Sequence, residues 1–175
     1  DQGVCNYCHG YDQALARMPP PERHAAILAE KLAEIRHAGK GRDYDCILGL
    51  SGGVDSSNLA LKCKDWGLRP LMVQFDNGWN TELANHNIHM VCKRLGFDLH
   101  TEVVDWAEFR DLQLSFIRAG VANIEAPSDH GIFACIYRTA RRKGIRWLIT
   151  GVNFATEACN PIGEKARRIS SYGYS

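Results

Sequence analysis

Residues Ser51-Gly52-Gly53-Val54-Asp55-Ser56-Ser57 directly follow an apolar run, 46–50, and open a helical pattern. Neither of the two adjacent glycines has a Cβ, so a sharp turn here brings bare N–H groups close to an anion. The helix start that follows adds its own unpaired N–H groups and a partial positive charge. The chemistry this arrangement serves is holding phosphate groups. A simple tight turn would need neither the paired glycines nor the run of hydroxyls. The spacing fits neither G-x-x-x-x-G-K-[ST] nor G-x-G-x-x-G, which excludes a Walker loop and a dinucleotide fingerprint.

Further residues join the list. Asp55 and Glu157 are carboxylates suited to a hard divalent cation, which offsets charge gathering on phosphate oxygens. Asp55 is equally suited to capping its own helix. Phe75-Asp76-Asn77-Gly78-Trp79-Asn80 is either a ligand-contacting turn or an Asx turn leading into the next helix. In residues 126–131, Ser128 or Asp129 can serve as an N-cap, or Asp129 and His130 can face a substrate. Cys5-Asn6-Tyr7-Cys8 with His9 has the form of a c-type haem attachment motif, but a C-x-x-C pair also supplies half of a zinc site. A second pair upstream, His9 or His24, an Fe–S cluster with a distant cysteine, or two idle thiols are the alternatives.

These residues must be positioned by a scaffold. From residue 45 onward, apolar runs alternate with amphipathic helices, the pattern of a parallel sheet with helical crossovers. Strands are predicted at 46–50, 71–75, 99–104 and 147–150, with helices at 22–38, 56–66, 82–95, 107–119 and 131–143. Ile27, Leu28, Leu32 and Ile35 share one face of the first helix; Leu59, Ala60, Cys63 and Trp66 form one stripe of the second. Gly67, Gly96, Gly120 and Gly144 each follow a helical pattern, where a left-handed cap suits glycine. The fold class is α/β: an open parallel sheet with helices on both faces, preceded by a small cysteine-containing segment, 1–20, in which Pro19-Pro20-Pro21 ends any regular element. Residues 21–175 form the domain. Ligands of such sheets bind at the carboxyl ends of the strands, where the candidate residues lie.

Composition bounds the reading. At 175 residues the chain fits one domain, and 21 basic against 20 acidic residues imply no broad polyanion-binding surface. No apolar run spans a membrane and no signal-peptide pattern opens the chain, so no membrane partner is expected and the cytoplasm is the default. Seven cysteines, mostly within apolar patterns, fit a reducing compartment. Cys46, Cys63 and Cys92 are expected in the core, whereas Cys135 and Cys159 are those a sulfur-transfer mechanism would need. The chain begins without methionine, and further N- and C-terminal parts are expected.

The motif S-G-G-V-D-S-S after a buried strand resembles the pyrophosphate loop of the N-type ATP pyrophosphatases, the adenine nucleotide alpha hydrolase-like enzymes that split ATP between its α and β phosphates. Thr150-Gly151-Val152-Asn153-Phe154-Ala155-Thr156-Glu157 resembles their second motif. Together with Cys5-x-x-Cys8, residues 76–80 and Pro127-Ser128-Asp129-His130-Gly131, the set resembles the N-acetyl sugar amidotransferases of lipopolysaccharide O-antigen and flagellin-sugar assembly. That resemblance implies ATP and pyrophosphate contacts at Leu50, Ser51, Gly52, Gly53, Val54, Asp55, Ser56, Ser57, Phe75, Asp76 and Gly151. It implies catalytic roles for Asp55, Asp129 and Glu157, magnesium at Asp55 and Glu157, and substrate contacts at Asn77, Trp79, His130 and Asn153. It further implies zinc or an Fe–S cluster at Cys5 and Cys8, a nucleotide-linked N-acetyl sugar as substrate, and a glutaminase partner delivering ammonia. Nucleic acid is not an expected partner. The alternatives are a tRNA thiolase sharing the same loop and a nucleotide-binding module without catalysis.

Overall fold

The structure, a computed structural model, describes Gly3 and residues 5–151. Four strands, β1 (Cys46–Gly49), β2 (Pro70–Asp76), β3 (Leu99–Val103) and β4 (Leu148–Ile149), form one sheet in the order β3-β2-β1-β4. Every pairing is parallel, with Leu48 opposite Met72 and Ile149, and Met72 opposite Leu99. Between them run α3 (Val54–Asp65), α4 (Glu82–Leu95), α5 (Trp106–Arg118) and α6 (Ala126–Lys143); α1 (Asn6–Ala16) and α2 (Pro21–Ala38) precede the sheet. By compactness, residues 27–151 are one unit, and the described residues before them belong to another.

Alternation along β1 produces the two layers. Cys46 and Leu48 point to one face and pack with Leu32 and Ile35 of α2, Ala60 and Cys63 of α3, and Ile88 and Cys92 of α4. Ile47 points to the other, where Leu71, Val73 and the α6 residues Cys135 and Ile136 close a second core. Phe109 of α5 is buried and meets Phe75 edge-on, with ring centroids 6.2 Å apart. A strand buried on both faces must be apolar throughout, which is how the sequence of β1 reads.

The expected open parallel sheet with helices on both faces is therefore present. Gly67, Gly96, Gly120 and Gly144 all take positive φ after their helices. Leu28 departs from expectation: it is exposed, because the core reaches only the last turns of α2. An 11-residue helix, α1, occupies the cysteine-containing segment. Its N-cap is Cys5, whose sulfur accepts from the Cys8 N–H, and it ends before the three prolines, the last of which opens α2.

The amino-terminal end of the sheet is locked by a polar knot. Asp45, almost fully buried, accepts from the Arg69 backbone N–H at 2.9 Å and pairs with its guanidinium at 2.6 Å. Arg69 also donates to the carbonyls of Arg42 and Gly39.

Candidate functional site

The connection from β1 to α3 has the geometry its residues demand. Gly52 has φ +77°, in the left-handed region, and a Cβ there would lie 3.0 Å from the backbone carbon atoms of Ala84 and closer still to its carbonyl oxygen. Position 52 therefore admits only glycine on two independent grounds. Asn87 of α4 donates to the Gly52 carbonyl at 3.3 Å, holding the turn against that helix. Gly53 is the N-cap of α3 and makes no side-chain cap, and the first helical bond runs from Ser57 N–H to the Gly53 carbonyl at 3.1 Å. The N–H groups of Val54, Asp55 and Ser56 precede that bond and point out of the helix start.

Two hydroxyls stiffen the loop. Ser56 Oγ accepts from the Ser51 N–H at 3.3 Å, lies 3.2 Å from Ser51 Oγ and donates to the Gly53 carbonyl at 3.3 Å. The loop is closed on itself before any ligand arrives, so little ordering remains to oppose binding. Asp55 lies in the first turn of α3, exposed, where its charge suits the helix dipole; it does not cap the helix, that position being Gly53.

β1 is flanked by β2 on one side and β4 on the other, so the chain direction of the crossovers reverses beside it. That switch point opens a crevice at the carboxyl ends of the strands. It contains a cavity of about 220 Å³ lined by Ser51, Phe75, Asn77, Phe133, Thr150 and Gly151 among others. This is below the roughly 300–1,000 Å³ that encloses a whole drug-sized ligand. The cavity is sized for part of such a ligand and borders the loop at Ser51. A Cβ on Gly151 would approach the Ser56 N and Asp55 backbone at 3.6 and 3.7 Å, which brings the end of β4 to the first turn of α3.

The turn after β2 serves structure as well. Asp76 Oδ1 accepts from the Gly78 N–H at 3.1 Å and Asn77 Oδ1 from the Trp79 N–H at 3.2 Å, two overlapping Asx turns. Asn77 is buried and donates to Ser128 Oγ at 3.1 Å. Its amide is thus committed within the fold, tying the end of β2 to the start of α6. Trp79 is exposed, packs T-shaped against Trp106 with centroids 5.2 Å apart, and donates its indole N–H to Gln113.

α6 begins at Ala126, five residues earlier than the predicted start at 131, with Glu125 as N-cap and Pro127 in the first turn. Ser128 and Asp129 are therefore not N-caps: Ser128 is buried against Asn77, and the Asp129 N–H makes the helical bond to the Glu125 carbonyl at 2.9 Å. Proline lacks only an N–H that the first turn does not use, so Pro127 opens the helix rather than blocking it. Asp129 and His130 are exposed, with His130 Nδ1 2.7 Å from the Ala126 carbonyl, to which it donates when protonated there. Asn153 and Glu157, like Cys159 and the rest of the second motif after Gly151, lie outside the described residues.

Sequence reasoning missed Ala84, Asn87, Gly131 and Phe133. Gly131 was the readable one: a glycine inside a helical pattern signals close approach. A Cβ there would lie 2.7 Å from Phe75 Cε1 and closer still to Cζ. Phe133 carries no such signal; only the fold brings it to the cavity.

For a divalent cation beside the loop, the described residues supply one exposed hard oxygen donor, Asp55. That fits magnesium, which takes one or two carboxylates and completes its shell with water and phosphate oxygens. At the other proposed metal site, the sulfurs of Cys5 and Cys8 are 3.4 Å apart, and the bond from Cys5 raises the Cys8 thiol's pKa. A structural zinc takes four ligands, and among the described residues no group of three ligating side chains includes this pair. The described residues supply two of the four ligands that such a site would need. No described helix is long and apolar enough to cross a membrane.

No protein-family model matches the chain. Among curated proteins it is 32% identical over 106 residues to the tRNA(Ile)-lysidine synthase of Thermus thermophilus, across 59% of this chain and 20% of that protein. The chain thus spans about a fifth of the curated relatives it matches. Among solved structures it is similar to the glutamine-dependent NAD+ synthetase from Acinetobacter baumannii in complex with ADP, with TM-score 0.57 and 16% identity over 79% of this chain and 27% of that one. It is also similar to the NH3-dependent NAD synthetase from Campylobacter jejuni, with TM-score 0.52 and 16% identity over 74% of this chain and 56% of that one. The structural likenesses establish the shared fold, and with the sequence similarity to the lysidine synthase they place this chain in the PP-loop ATP pyrophosphatase superfamily.

Proposed function

We propose that this chain carries the ATP-activating site of an AMP-forming amidotransferase acting on the N-acetyl group of a nucleotide-linked sugar. The observation that carries the reading is the rigid Ser51–Ser57 loop, with Gly52 left-handed between β1 and the open N-terminus of α3. Such a loop holds a departing pyrophosphate, and the adjoining cavity takes the nucleoside.

In this reaction the amide oxygen attacks the α-phosphorus of ATP and pyrophosphate leaves. The product is an O-adenylyl imidate, whose carbon accepts ammonia; AMP departs with the former amide oxygen, and a protonated acetamidino group remains. The chain's contribution is positioning and charge stabilisation. The N–H groups of Val54, Asp55 and Ser56 gather at the β and γ phosphates, where negative charge concentrates as the bond breaks. Phe75 and Phe133 wall the nucleoside cavity and exclude water from it. Asp55 would hold magnesium, which screens the phosphate charge when bound. Trp79 and Trp106, exposed beside the carboxyl end of β2, offer aromatic faces to the acceptor, and Asp129 and His130 are its candidate polar contacts. The 'NH3-dependent' synthetase of the same fold supports ammonia as the nitrogen source, which a glutaminase partner would deliver unprotonated.

Incubation of the full-length protein with ATP, magnesium, ammonium and a panel of nucleotide-linked diacetamido sugars tests this. Mass spectrometry should find AMP and one sugar with an oxygen replaced by NH. ADP in place of AMP would refute the assignment.

A second reading, action on tRNA, is favoured by the similarity to the lysidine synthase. For its sulfur-transferring version, Cys159 lies outside the described residues and Cys135 is a poor nucleophile. Cys135 is fully buried, and burial followed by its bond to Glu102 pushes the thiol up to about 11, leaving little thiolate. AMP release dependent on added tRNA, and unresponsive to sugars, would establish this second reading.

A further inference from the structure

A second concavity, about 720 Å³, lies on the flank of the sheet between β3 and α6, lined by His100, Glu102, Arg138, Arg141 and Arg142 among others. Three arginines face one acidic side chain there. Arg138 is paired with Glu102. Arg142 meets no acidic group among the described residues; its partners are Thr139 Oγ1 at 3.3 Å and the His100 ring at 3.4 Å. Arg141 makes no side-chain hydrogen bond or ion pair among the described residues. Two guanidinium charges are therefore uncompensated in one groove.

The helix dipole explains cations in the last turn of α6, where Arg141, Arg142 and Lys143 stand. It does not explain Arg138, which precedes that last turn, or the convergence of His100 and Thr101 from another element on the same groove. β3 pairs only with β2 among the described residues, so its outer edge also offers backbone N–H groups to the groove.

His100, Glu102 and Cys135 place a nitrogen, an oxygen and a sulfur within 4.8 Å of one another, the makings of a cation site. The same groups are already engaged by arginines: Arg138 holds Glu102 and Arg142 contacts His100. Cationic neighbours disfavour a metal ion and favour an anion.

We propose that the β3–α6 groove binds the phosphate or diphosphate group of a small molecule, through Arg141 and Arg142. A dianion matches two uncompensated charges, and the planar guanidinium fork suits phosphate oxygens. The Arg138–Glu102 pair fixes the groove wall. The charges are clustered within one helical turn, on a chain of net charge +1, which suits a compact phosphate rather than the extended backbone of RNA.

Arginine-selective dicarbonyl modification of the full-length protein, read residue by residue by peptide mass spectrometry, tests this. The 50–57 loop contains no arginine, so the readout is blind to phosphate held there and stands or falls apart from the proposed function. With inorganic pyrophosphate or uridine diphosphate at about ten times Kd, modification of Arg141 and Arg142 should slow about tenfold, since about one site in eleven is then empty. Arg110 and Arg118 on α5 should be unaffected. In the double variant Arg141→Gln, Arg142→Gln, protection of Arg138 should vanish. Unchanged rates at Arg141 and Arg142, equal slowing at all four arginines, or protection by single-stranded RNA alone would overturn the proposal.

Discussion

Replacing Gly52 by alanine tests the phosphate loop most directly, because its cost divides into two parts that can be measured separately. The left-handed backbone, φ +77°, penalises any Cβ by about 1–2 kcal/mol. The new Cβ would also stand 3.0 Å from the Cα and C of Ala84, inside ordinary contact, and the neighbour is backbone that cannot rotate away. Overpacking of this kind adds about 1–3 kcal/mol. Gly67 supplies the control: its φ is +67° and a Cβ there meets nothing within 4 Å. At about 3 °C per kcal/mol for a chain of this size, Gly67→Ala should lower Tm by about 3–6 °C and Gly52→Ala by about 6–15 °C. The loop must also move away from α4, and a displacement of about 1 Å at a reacting group costs about 100-fold in rate. AMP release should fall by that order in Gly52→Ala and remain unchanged in Gly67→Ala. Wild-type AMP release in Gly52→Ala, with a Tm loss no larger than the control's, would refute the reasoning.

Asp55→Asn should lower AMP formation at least tenfold and shift the magnesium requirement upward while leaving Tm within about 2 °C, since the carboxylate is exposed. Gly131→Ala should push the Phe75 ring from its place, since the new Cβ would lie 2.7 Å from Cε1 and closer still to Cζ, and raise KM for ATP more than it lowers kcat; an unchanged KM would argue that Phe75 does not wall the nucleoside. Arg69→Ala leaves Asp45 buried and unpaired. Loss of one partner of a buried pair costs about 3–5 kcal/mol, and about 2 is expected here because Arg69 is half exposed, read as a lower denaturant midpoint. Tyr44 donates to Asp98 at 2.8 Å, which, with burial, pushes its pKa up to about 12. The folded state therefore favours the neutral phenol, and this stability is complete below about pH 10 and lost as pH rises through about 12. Tyr44→Phe should cost about 1 kcal/mol at pH 7 and flatten the alkaline slope of unfolding.

What the sequence made legible were features whose physics is local. The β1 run, the glycine turn and the α3 start are adjacent in the chain, and helix α4 was read at its observed ends because Thr81 caps it and Gly96 stops it. The start of α6 was misread for a physical reason. Asx and Ser signals at 128–129 favour an N-cap in isolation, yet Ser128 is committed to Asn77, 51 residues away. Tertiary contacts of that kind leave no local trace. The β3–α6 groove was equally invisible: nothing local to Arg138, Arg141 and Arg142 shows that β3 lies beside them.

That placement gives α6 three roles along its length. Its first turn holds the end of β2 through Ser128 and Asn77, so the turn bearing Asp76 is fixed relative to the phosphate loop. Its middle closes the second core with Cys135 and Ile136 and lends Phe133 to the nucleoside cavity. Its last turns carry the arginine groove. A ligand seated on Arg141 and Arg142 would therefore act on a helix whose other end sets the geometry of the ATP cavity. Rigid, well-packed helices transmit displacement rather than absorb it. If phosphate at the groove alters KM for ATP, Asn77→Ala should reduce the effect, because it severs the contact through which α6 holds β2. An effect undiminished in Asn77→Ala would show that the two sites communicate by another route.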